Sequence, residues 1–267
     1  MPTVKLSRVE LFYKEYGAGP PLFLIAGFAS NHSLWAGIIG QLSQAFRVIV
    51  VDNRGCGRSS VPASHYTIDD MATDVFELAR HLGIERGFFC GSSMGGFIVQ
   101  ALAYRYPELV EKMVICNSAM NTVTAFACFA QARYELFDLD VAPKVQRAII
   151  KMSCSYAYSY QFLSPPGRLE ELVDMALADP YPVTQLGYAG QMQALEHFDS
   201  SDFVSRIAVP VLVIAGDQDI IFNQAMTTAL ADALPHAEYH VFKLCGHIPH
   251  IEYPDKFIQL LQSFLPT

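Results

Sequence analysis

Short apolar runs rich in β-branched residues alternate along this chain with longer segments in which apolar residues recur at helical spacing. Such runs predict strands, and recurrence at every third or fourth position predicts amphipathic helices. The predicted strands cover residues 4–6, 9–13, 21–26, 48–51, 87–91, 113–116, 211–215 and 239–244. The predicted helices cover residues 34–46, 68–82, 94–106, 223–234 and 254–264. This order predicts an α/β fold with a mostly parallel eight-stranded sheet, flanked by helices and starting with an antiparallel hairpin.

The alternation stops between about residues 121 and 206, where the sequence offers no convincing strand. Helical patches at residues 145–152 and 169–178 lie there between proline-containing joints. No Gly/Ser-rich linker borders this stretch, which favours a segment folded onto the sheet over a tethered unit. The sequence therefore predicts one domain, with a core of residues 1–120 and 207–267 and a helical cap, or lid, of residues 121–206 inserted after the sixth strand.

Charge and composition argue against several classes of partner. The 267 residues carry a formal net charge of -8 at pH 7, with 52% hydrophobic and 16% charged residues. An acidic surface repels phosphate backbones and anionic lipids, so we expect neither nucleic acid nor a membrane as a partner. The six cysteines form no CxxC pair, and we find neither a charged leader nor an apolar stretch of about 18 residues, which predicts a cytoplasmic protein. We expect no metal and no organic cofactor.

A sharp turn between a predicted strand and a predicted helix carries the candidate nucleophile. The letters GSSMG at residues 91–95 join the two elements. Such a turn presents its central serine, and its strained backbone requires residues without side chains two positions before and after it, which Gly91 and Gly95 provide. The positive end of the helix would also stabilise negative charge nearby. A glycine-rich loop that only packs a helix against a strand is the alternative, but the context favours Ser93 as a nucleophile.

A serine nucleophile needs a base within hydrogen-bond distance and an acid that orients that base. Asp217 and Asp219 follow the seventh predicted strand, and His247 and His250 follow the eighth. The order serine, acid, histidine at the carboxyl ends of strands suits this arrangement. We expect His247 as the base and Asp219 as the acid, with His250 and Asp217 as the alternatives. The other histidines are interpreted as surface or core residues: His32, His65, His81, His197, His236 and His240.

Four motifs together resemble those of the α/β-hydrolase superfamily, in its branch of lidded esterases, enol-lactonases and carbon–carbon bond hydrolases. They are the GSSMG turn, DNRGCGRS at residues 52–59, GDQD at 216–219, and GH at 246–247 followed by EYP at 252–254. The resemblance covers nearly the whole chain and implies the α/β-hydrolase fold and a serine nucleophile. Similar epoxide hydrolases and haloalkane dehalogenases need an aspartate where Ser93 stands, so we set their chemistries aside.

The same resemblance implies an oxyanion hole made by two backbone N–H groups. In such proteins one donor follows the nucleophile, here Met94, and the other lies in the loop after the third strand, here Phe28. Many relatives carry His-Gly where this chain has Ala26 and Gly27, so a side chain that often braces this loop is absent. We expect the N–H groups of Phe28 and Met94 to form the hole.

Aromatic residues of the predicted cap indicate an apolar substrate. The residues that can line or cover the cleft are Phe126, Phe129, Tyr134, Phe137, Tyr156, Tyr158, Tyr160 and Phe162. Apolar walls with few polar groups bind apolar acyl or ring groups. The sequence therefore predicts a serine hydrolase that cleaves a small, mainly apolar carboxylic ester or lactone through an acyl-enzyme, as a monomer or homodimer.

Four other functions stay open on the sequence alone. Thioesters on coenzyme A or a carrier protein are acidic, and residues 121–205 carry five Lys or Arg against ten Asp or Glu, which disfavours them. Lys144, Arg147 and Lys151 share one helix face and can form a local basic stripe, although a solvated face is the simpler interpretation. The others are carbon–carbon bond hydrolysis, a weakly catalytic ligand receptor and a peroxide-using relative with the same catalytic residues.

Overall fold

One sheet runs through the protein, whose computed structural model describes residues 3–122, 124–137 and 142–266. Its strands are β1 (Thr3–Lys5), β2 (Glu10–Tyr16), β3 (Pro21–Ile25), β4 (Arg47–Val51), β5 (Gly87–Ser92), β6 (Val110–Cys116), β7 (Val211–Gly216) and β8 (Ala237–Phe242). They lie side by side in the order β1-β2-β4-β3-β5-β6-β7-β8. The pairs β1–β2 and β2–β4 are antiparallel, and all the other pairs are parallel. The predicted eight-stranded, mostly parallel sheet is confirmed.

Helices pack on both faces of the sheet and also fill the chain between β6 and β7. Those of the described chain are α1 (Ala36–Leu42), α2 (Ile68–His81), α3 (Met94–Arg105), α4 (Thr124–Glu135), α5 (Pro143–Ala157), α6 (Tyr160–Leu163), α7 (Arg168–Leu177), α8 (Gln185–Glu196), α9 (Gln224–Ala233), α10 (Pro249–Glu252) and α11 (Pro254–Phe264). Short 3-10 turns occur at His32–Trp35 and Val204–Arg206. None of these helices combines the length and apolarity needed to cross a bilayer.

Alternate residues of the central strands enter two apolar cores, one on each face of the sheet. In β5, Phe89 joins the core formed with α2, α3 and α9. Its neighbours Phe88 and Cys90 join the core formed with α1 and α11. Because β5 is buried on both faces, its sequence is an uninterrupted apolar run, which is why the strand was predictable from composition alone.

The predicted helix at residues 34–46 is shorter in the structure. It consists of a 3-10 turn followed by α1, which ends at Leu42. The next residues turn and pack against the loop between β2 and β3, where a Cβ on Gly17 would lie 2.1 Å from the carbonyl oxygen of Ser43. This contact between distant segments ends the helix, and the local sequence does not reveal it.

The predicted strand at residues 239–244 is displaced by two residues. The observed strand β8 begins at Ala237 and ends at Phe242. Leu244 has a φ of 58°, in the left-handed region, so the extended conformation cannot continue through it. The turn that replaces the strand end starts the loop leading to His247.

The described residues between β6 and β7 form helices joined by turns and loops, with no strand beyond an isolated bridge between Asn121 and Asp199. The predicted patch at residues 145–152 is the middle of the longer helix α5, and the patch at 169–178 is α7 within one residue. A proline at the first position of α5 fits a helix start, because that position needs no N–H donor.

Candidate active site

The serine of the GSSMG turn stands between the end of β5 and the start of α3. Ser93 has φ 57° and ψ -119°, a conformation that a residue with a side chain adopts only under strain. A Cβ on Gly91 would lie 2.0 Å from the carbonyl oxygen of Gly95, and one on Gly95 would lie 2.2 Å from that of Ile25. Both positions therefore admit only glycine, as the sequence pattern requires for this kind of turn.

Two backbone N–H groups beside Ser93 have no protein acceptor among the described residues. Met94 is the first residue of α3, so its N–H has no intrahelical acceptor. Phe28 lies in the loop after β3, and its N–H donates to no acceptor among residues 3–122, 124–137 and 142–266. That loop runs against the serine, since a Cβ on Gly27 would lie 3.0 Å from Ser93 Cβ. Donors so close to a nucleophile can stabilise an oxyanion formed on its target.

Side chains that the sequence did not single out brace the loop after β3. Gln191, fully buried in α8, accepts the N–H of Ala29 at 2.8 Å and donates to the carbonyl oxygen of Arg54 at 2.9 Å. Asn53 Nδ2 donates to the carbonyl oxygen of Ala26 at 3.0 Å. These bonds fix the loop although it lacks the histidine found in many relatives. Gln191 is far from the loop in sequence, so no local motif could indicate it.

Asp219 and His247 form a buried hydrogen-bonded pair after β7 and β8. Asp219 Oδ2 lies 2.8 Å from His247 Nδ1, and the two residues are 4% and 7% exposed. Asp219 Oδ1 accepts the N–H groups of Ile221 at 2.8 Å and Phe222 at 3.2 Å. Asn117, which no motif indicated, donates its Nδ2 to Asp219 Oδ2 at 2.7 Å. These donors hold the carboxylate in one orientation against the imidazole.

The alternative carboxylate faces other groups. Asp217 Oδ1 accepts the N–H of Cys245 at 3.3 Å, and its Oδ2 lies 3.8 Å from Lys243 Nζ. Asp217 thus supports the turn after β8. Of the two carboxylates that the sequence left open, the structure brings Asp219 to His247.

The alternative histidine is part of the core. His250 is 1% exposed and stacks on Trp35, with the ring centroids 4.3 Å apart. Burial lowers the pKa of His250 to about 3, with a smaller contribution from nearby His247. An imidazole that stays neutral under a tryptophan ring is a packing residue rather than a base.

The loop that carries His247 is joined to the helical segment between β6 and β7. The N–H of His247 donates to the carbonyl oxygen of Ala157 at 2.8 Å. Glu252 Oε1 accepts the N–H groups of Gly246 and Ser159, each at 3.0 Å, and its Oε2 accepts the Ser159 hydroxyl at 2.5 Å. Burial raises the pKa of Glu252, and these three donors partly oppose that shift. The carboxyl group of Glu252 is therefore shared between the histidine loop and the end of α5.

A cavity of about 370 Å³ has both Ser93 and His247 in its wall. Its aromatic lining consists of Phe28, Phe126, Phe129, Tyr156, Tyr158 and Tyr188. Four of the aromatic residues expected at the cleft therefore line it, whereas Phe137 lines an adjoining cavity and Tyr160 is 81% exposed. Tyr134 and Phe162 lie outside the lining of both cavities. The wall next to the serine is mostly apolar, which suits an apolar substrate group.

Comparison with known proteins gives the family. The sequence model of the α/β hydrolase fold family matches residues 20–254, which is most of the chain. This chain belongs to the α/β-hydrolase family. The resemblance predicted from the four motifs is therefore confirmed.

Individual relatives place this α/β-hydrolase in the branch with esterases and enol-lactonases. The 3-oxoadipate enol-lactonase 2 of Acinetobacter baylyi is 32% identical, over 98% of this chain and 96% of its own. The crystal structure of an enol-lactonase from Burkholderia xenovorans superposes with a TM-score of 0.86 at 28% identity, over 98% of this chain and 99% of the other. The structure of Est816, described as an N-acyl homoserine lactone degrading enzyme, gives 0.83 at 27% identity, over 99% and 100%. Family and relatives together identify the protein as a carboxylic ester hydrolase.

Proposed function

We propose that the protein is a serine hydrolase that cleaves a small, mainly apolar carboxylic ester or lactone through an acyl-enzyme. Ser93 is the nucleophile, His247 the base, Asp219 the acid that orients it, and the N–H groups of Phe28 and Met94 the oxyanion donors. The observation that carries the proposal is the 2.8 Å contact between Asp219 and His247, because His247 shares the wall of one cavity with Ser93. A carboxylate behind an imidazole that shares a cavity with a strained serine is the set that acyl transfer requires.

The hydrogen bond to Asp219 assigns the proton of His247 to Nδ1, which leaves Nε2 as the acceptor. Nε2 takes the hydroxyl proton of Ser93 while Oγ bonds to the substrate carbonyl carbon, and the two N–H donors stabilise the resulting oxyanion. The oxyanion collapses, the carbon–oxygen bond to the alcohol breaks, and His247 returns its proton to the leaving oxygen. In a lactone that alcohol stays attached to the acyl chain. A water then attacks the acyl carbon as His247 takes its proton. The bond between that carbon and Oγ breaks and His247 returns the proton to Oγ, which releases the acid and restores the serine.

We also propose that residues 121–206 act as a cap over a core of residues 1–120 and 207–267. Support comes from the cavity wall, to which α4, α5 and α8 contribute aromatic side chains while the core contributes the reacting groups. A cavity of about 370 Å³ suits a small molecule. The enol-lactonase relatives and the homoserine lactone degrading enzyme are named for lactones, which supports lactones alongside open esters.

Carrier-linked thioesters are supported less well. Arg147 of α5 pairs with Glu170 and Asp174 of α7, and Lys151 pairs with the same Glu170. The basic stripe is thus largely neutralised within the protein, and of its three members only Lys144 is exposed without such a partner among the described residues. An acidic carrier finds little positive surface there.

Covalent labelling combined with turnover tests the proposal. We expect a fluorophosphonate probe to label the wild-type protein and p-nitrophenyl esters of short acids to be hydrolysed, and we expect Ser93→Ala to abolish both. Ser92→Ala, the same chemical change one residue earlier, is the control that keeps labelling. Labelling without turnover of any ester or lactone would favour the receptor alternative, and turnover that survives Ser93→Ala would exclude the mechanism.

A further inference from the structure

Arg133 of α4 introduces a positive charge into the cavity that holds Ser93 and His247. Apart from His247, it is the only described residue of that wall whose side chain can be cationic, and no Asp or Glu lines the same wall. The rest of the lining is aromatic, aliphatic or small. A single cation in a largely apolar wall is a specificity feature that an apolar substrate does not require.

The guanidinium of Arg133 has no carboxylate within ion-pair distance in the described part of the chain. Its Cζ lies 5.8 Å from the ring centroid of Tyr188 and 5.9 Å from that of Phe137. Arg54, in contrast, is held by two bonds of 2.6 Å to Asp74. Arg133 is half-buried between two rings that orient it but satisfy none of its N–H donors.

The position of Arg133 connects it to the reacting end of the cavity. The guanidinium of Arg133 contacts the ring of Tyr188, and the centroid of that ring lies 4.5 Å from the ring centroid of Phe28. Phe28 supplies one of the proposed oxyanion donors. Arg133 also lines an adjoining cavity of about 500 Å³, together with Ala176 of α7. Asp179 is the acidic residue that lines the adjoining cavity. Its carboxylate accepts hydrogen bonds from Asn31 Nδ2 and from the N–H of Tyr181, each at 2.9 Å, and forms no ion pair with Arg133.

We propose that Arg133 binds a carboxylate on the substrate, at the end remote from the bond that is cleaved. The substrate class, which rests on the proposed function, is then a half-ester or lactone that carries a second, free carboxylate. A guanidinium offers paired N–H donors that match the two oxygens of a carboxylate. The net charge of -8 repels anions at long range, so a local cation in the wall is what selects them at short range.

A matched pair of substrates tests this specificity. The mono-p-nitrophenyl ester of adipic acid and the p-nitrophenyl ester of its monoamide differ only in whether a carboxylate or a neutral amide ends the acyl chain. We expect wild-type kcat/KM to favour the carboxylate about tenfold or more, mainly through KM, and the preference to shrink as ionic strength rises. Arg133→Gln reduces the ratio to about one, and Arg133→Lys retains part of it.

Two further variants make the outcome decisive. Lys144→Gln removes the same charge from an exposed site on α5 outside both cavities, and we expect it to keep the wild-type ratio. Arg133→Glu should reverse the preference, toward p-nitrophenyl 6-aminohexanoate. A wild-type ratio near one, or a preference that survives Arg133→Gln, overturns the role of Arg133. If the role of Arg133 is overturned but hydrolysis of the amide ester still requires Ser93, the proposed function stands. If neither ester is hydrolysed, the role of Arg133 and the proposed function are both overturned.

Discussion

Asn117 is one of the residues that fix the orientation of Asp219, the proposed acid. It follows β6 with a φ of 47°, in the left-handed region, which asparagine tolerates better than most residues. Besides its bond to Asp219, its Nδ2 donates to the carbonyl oxygen of Gly246 at 3.2 Å. One amide group therefore joins Asp219 to the loop that carries His247.

Replacing Asn117 should lower the rate without weakening substrate binding. We expect Asn117→Ala to reduce kcat about tenfold with KM unchanged, because Asp219 loses a donor that fixes its position. Asn117→Gly removes the same donor, so its kcat should equal that of Asn117→Ala. Because glycine suits the left-handed backbone, Asn117→Gly should unfold at a higher urea concentration than Asn117→Ala. Equal kcat in Asn117→Ala and wild type would contradict this role.

At single positions, the sequence indicated the candidate residues but not most of their contacts. Ser93 and His247 follow from the turn chemistry and from the ends of strands. The choice between Asp217 and Asp219 did not follow, because both lie in one loop and only the fold decides which carboxylate meets the imidazole. Asn117 and Gln191 were missed because their partners lie far away in sequence.

Among the secondary-structure elements, the link between α5 and the loop after β8 has the clearest functional consequence. Glu252 accepts three hydrogen bonds there, from groups that belong to both segments. A Cβ on Gly246 would lie 2.7 Å from the nitrogen of Ser159, so the two backbones are in direct contact. Without the carboxyl group, these part-buried donors lose their acceptor, which costs about 1–3 kcal/mol in all because water can reach some of them.

Removing that carboxyl group should weaken both stability and catalysis. We expect Glu252→Ala to lower the free energy of unfolding by about 2 kcal/mol in urea titrations and to reduce kcat. Glu252→Gln keeps an oxygen acceptor and removes a carboxylate whose pKa is raised by burial, so it should retain most of the stability. Glu85→Ala, at an exposed position, is the control. If Glu252→Ala loses no more free energy of unfolding than Glu85→Ala, Glu252 does not stabilise the contact between α5 and the loop after β8.

The strands and helices themselves were largely predictable, whereas their ends were not. Central strands such as β5 are apolar on both faces, and α11 begins and ends where its periodicity predicted. The end of α1 at Leu42 depends on a contact with Gly17, and the end of β8 depends on the left-handed Leu244. Such ends are set by tertiary packing that no local pattern records.

Across the whole molecule, the site residues come from four separate segments that meet at one edge of the sheet. Ser93 follows β5, Asn117 follows β6, Asp219 follows β7 and His247 follows β8. Since β5 to β8 are neighbours and parallel, their carboxyl ends lie together. This rule is why the sequence grouped Ser93, Asp219 and His247 into one candidate site, although it did not indicate Asn117.

The core of the molecule also contains a group that makes folding depend on pH. His250 is buried between Trp35 and Phe257, and neither of its ring nitrogens has a hydrogen-bond partner in the described chain. Burial holds its pKa at about 3, whereas an unfolded histidine titrates near 6.5. The folded state thus keeps the ring neutral, and unfolding takes up a proton. Its contribution to stability is complete above pH 6.5 and is lost as the pH falls from 6.5 toward 3.

We expect the wild-type protein to lose about 1.4 kcal/mol of unfolding free energy per pH unit from this group between pH 6 and pH 4. His250→Phe cannot take up the proton, so the slope of unfolding free energy against pH should be shallower by that amount in urea titrations. His236→Gln, which alters an exposed histidine, should keep the wild-type slope. Parallel slopes for His250→Phe and wild type would show that the ring is already charged when folded.

A second close backbone contact joins α8 to the loop after β4. A Cβ on Gly187, in α8, would lie 1.9 Å from the carbonyl oxygen of Gly55, so helix and core loop touch without intervening side chains. The end of α5 is anchored separately, through Ala157. Because α8 and the end of α5 are both held by backbone contacts, we expect the larger fluctuations in α6 and α7, which lie between them in the chain. Ala176 of α7 borders both cavities. Turnover would then need only α6 and α7 to move, while α8 and the end of α5 keep their positions.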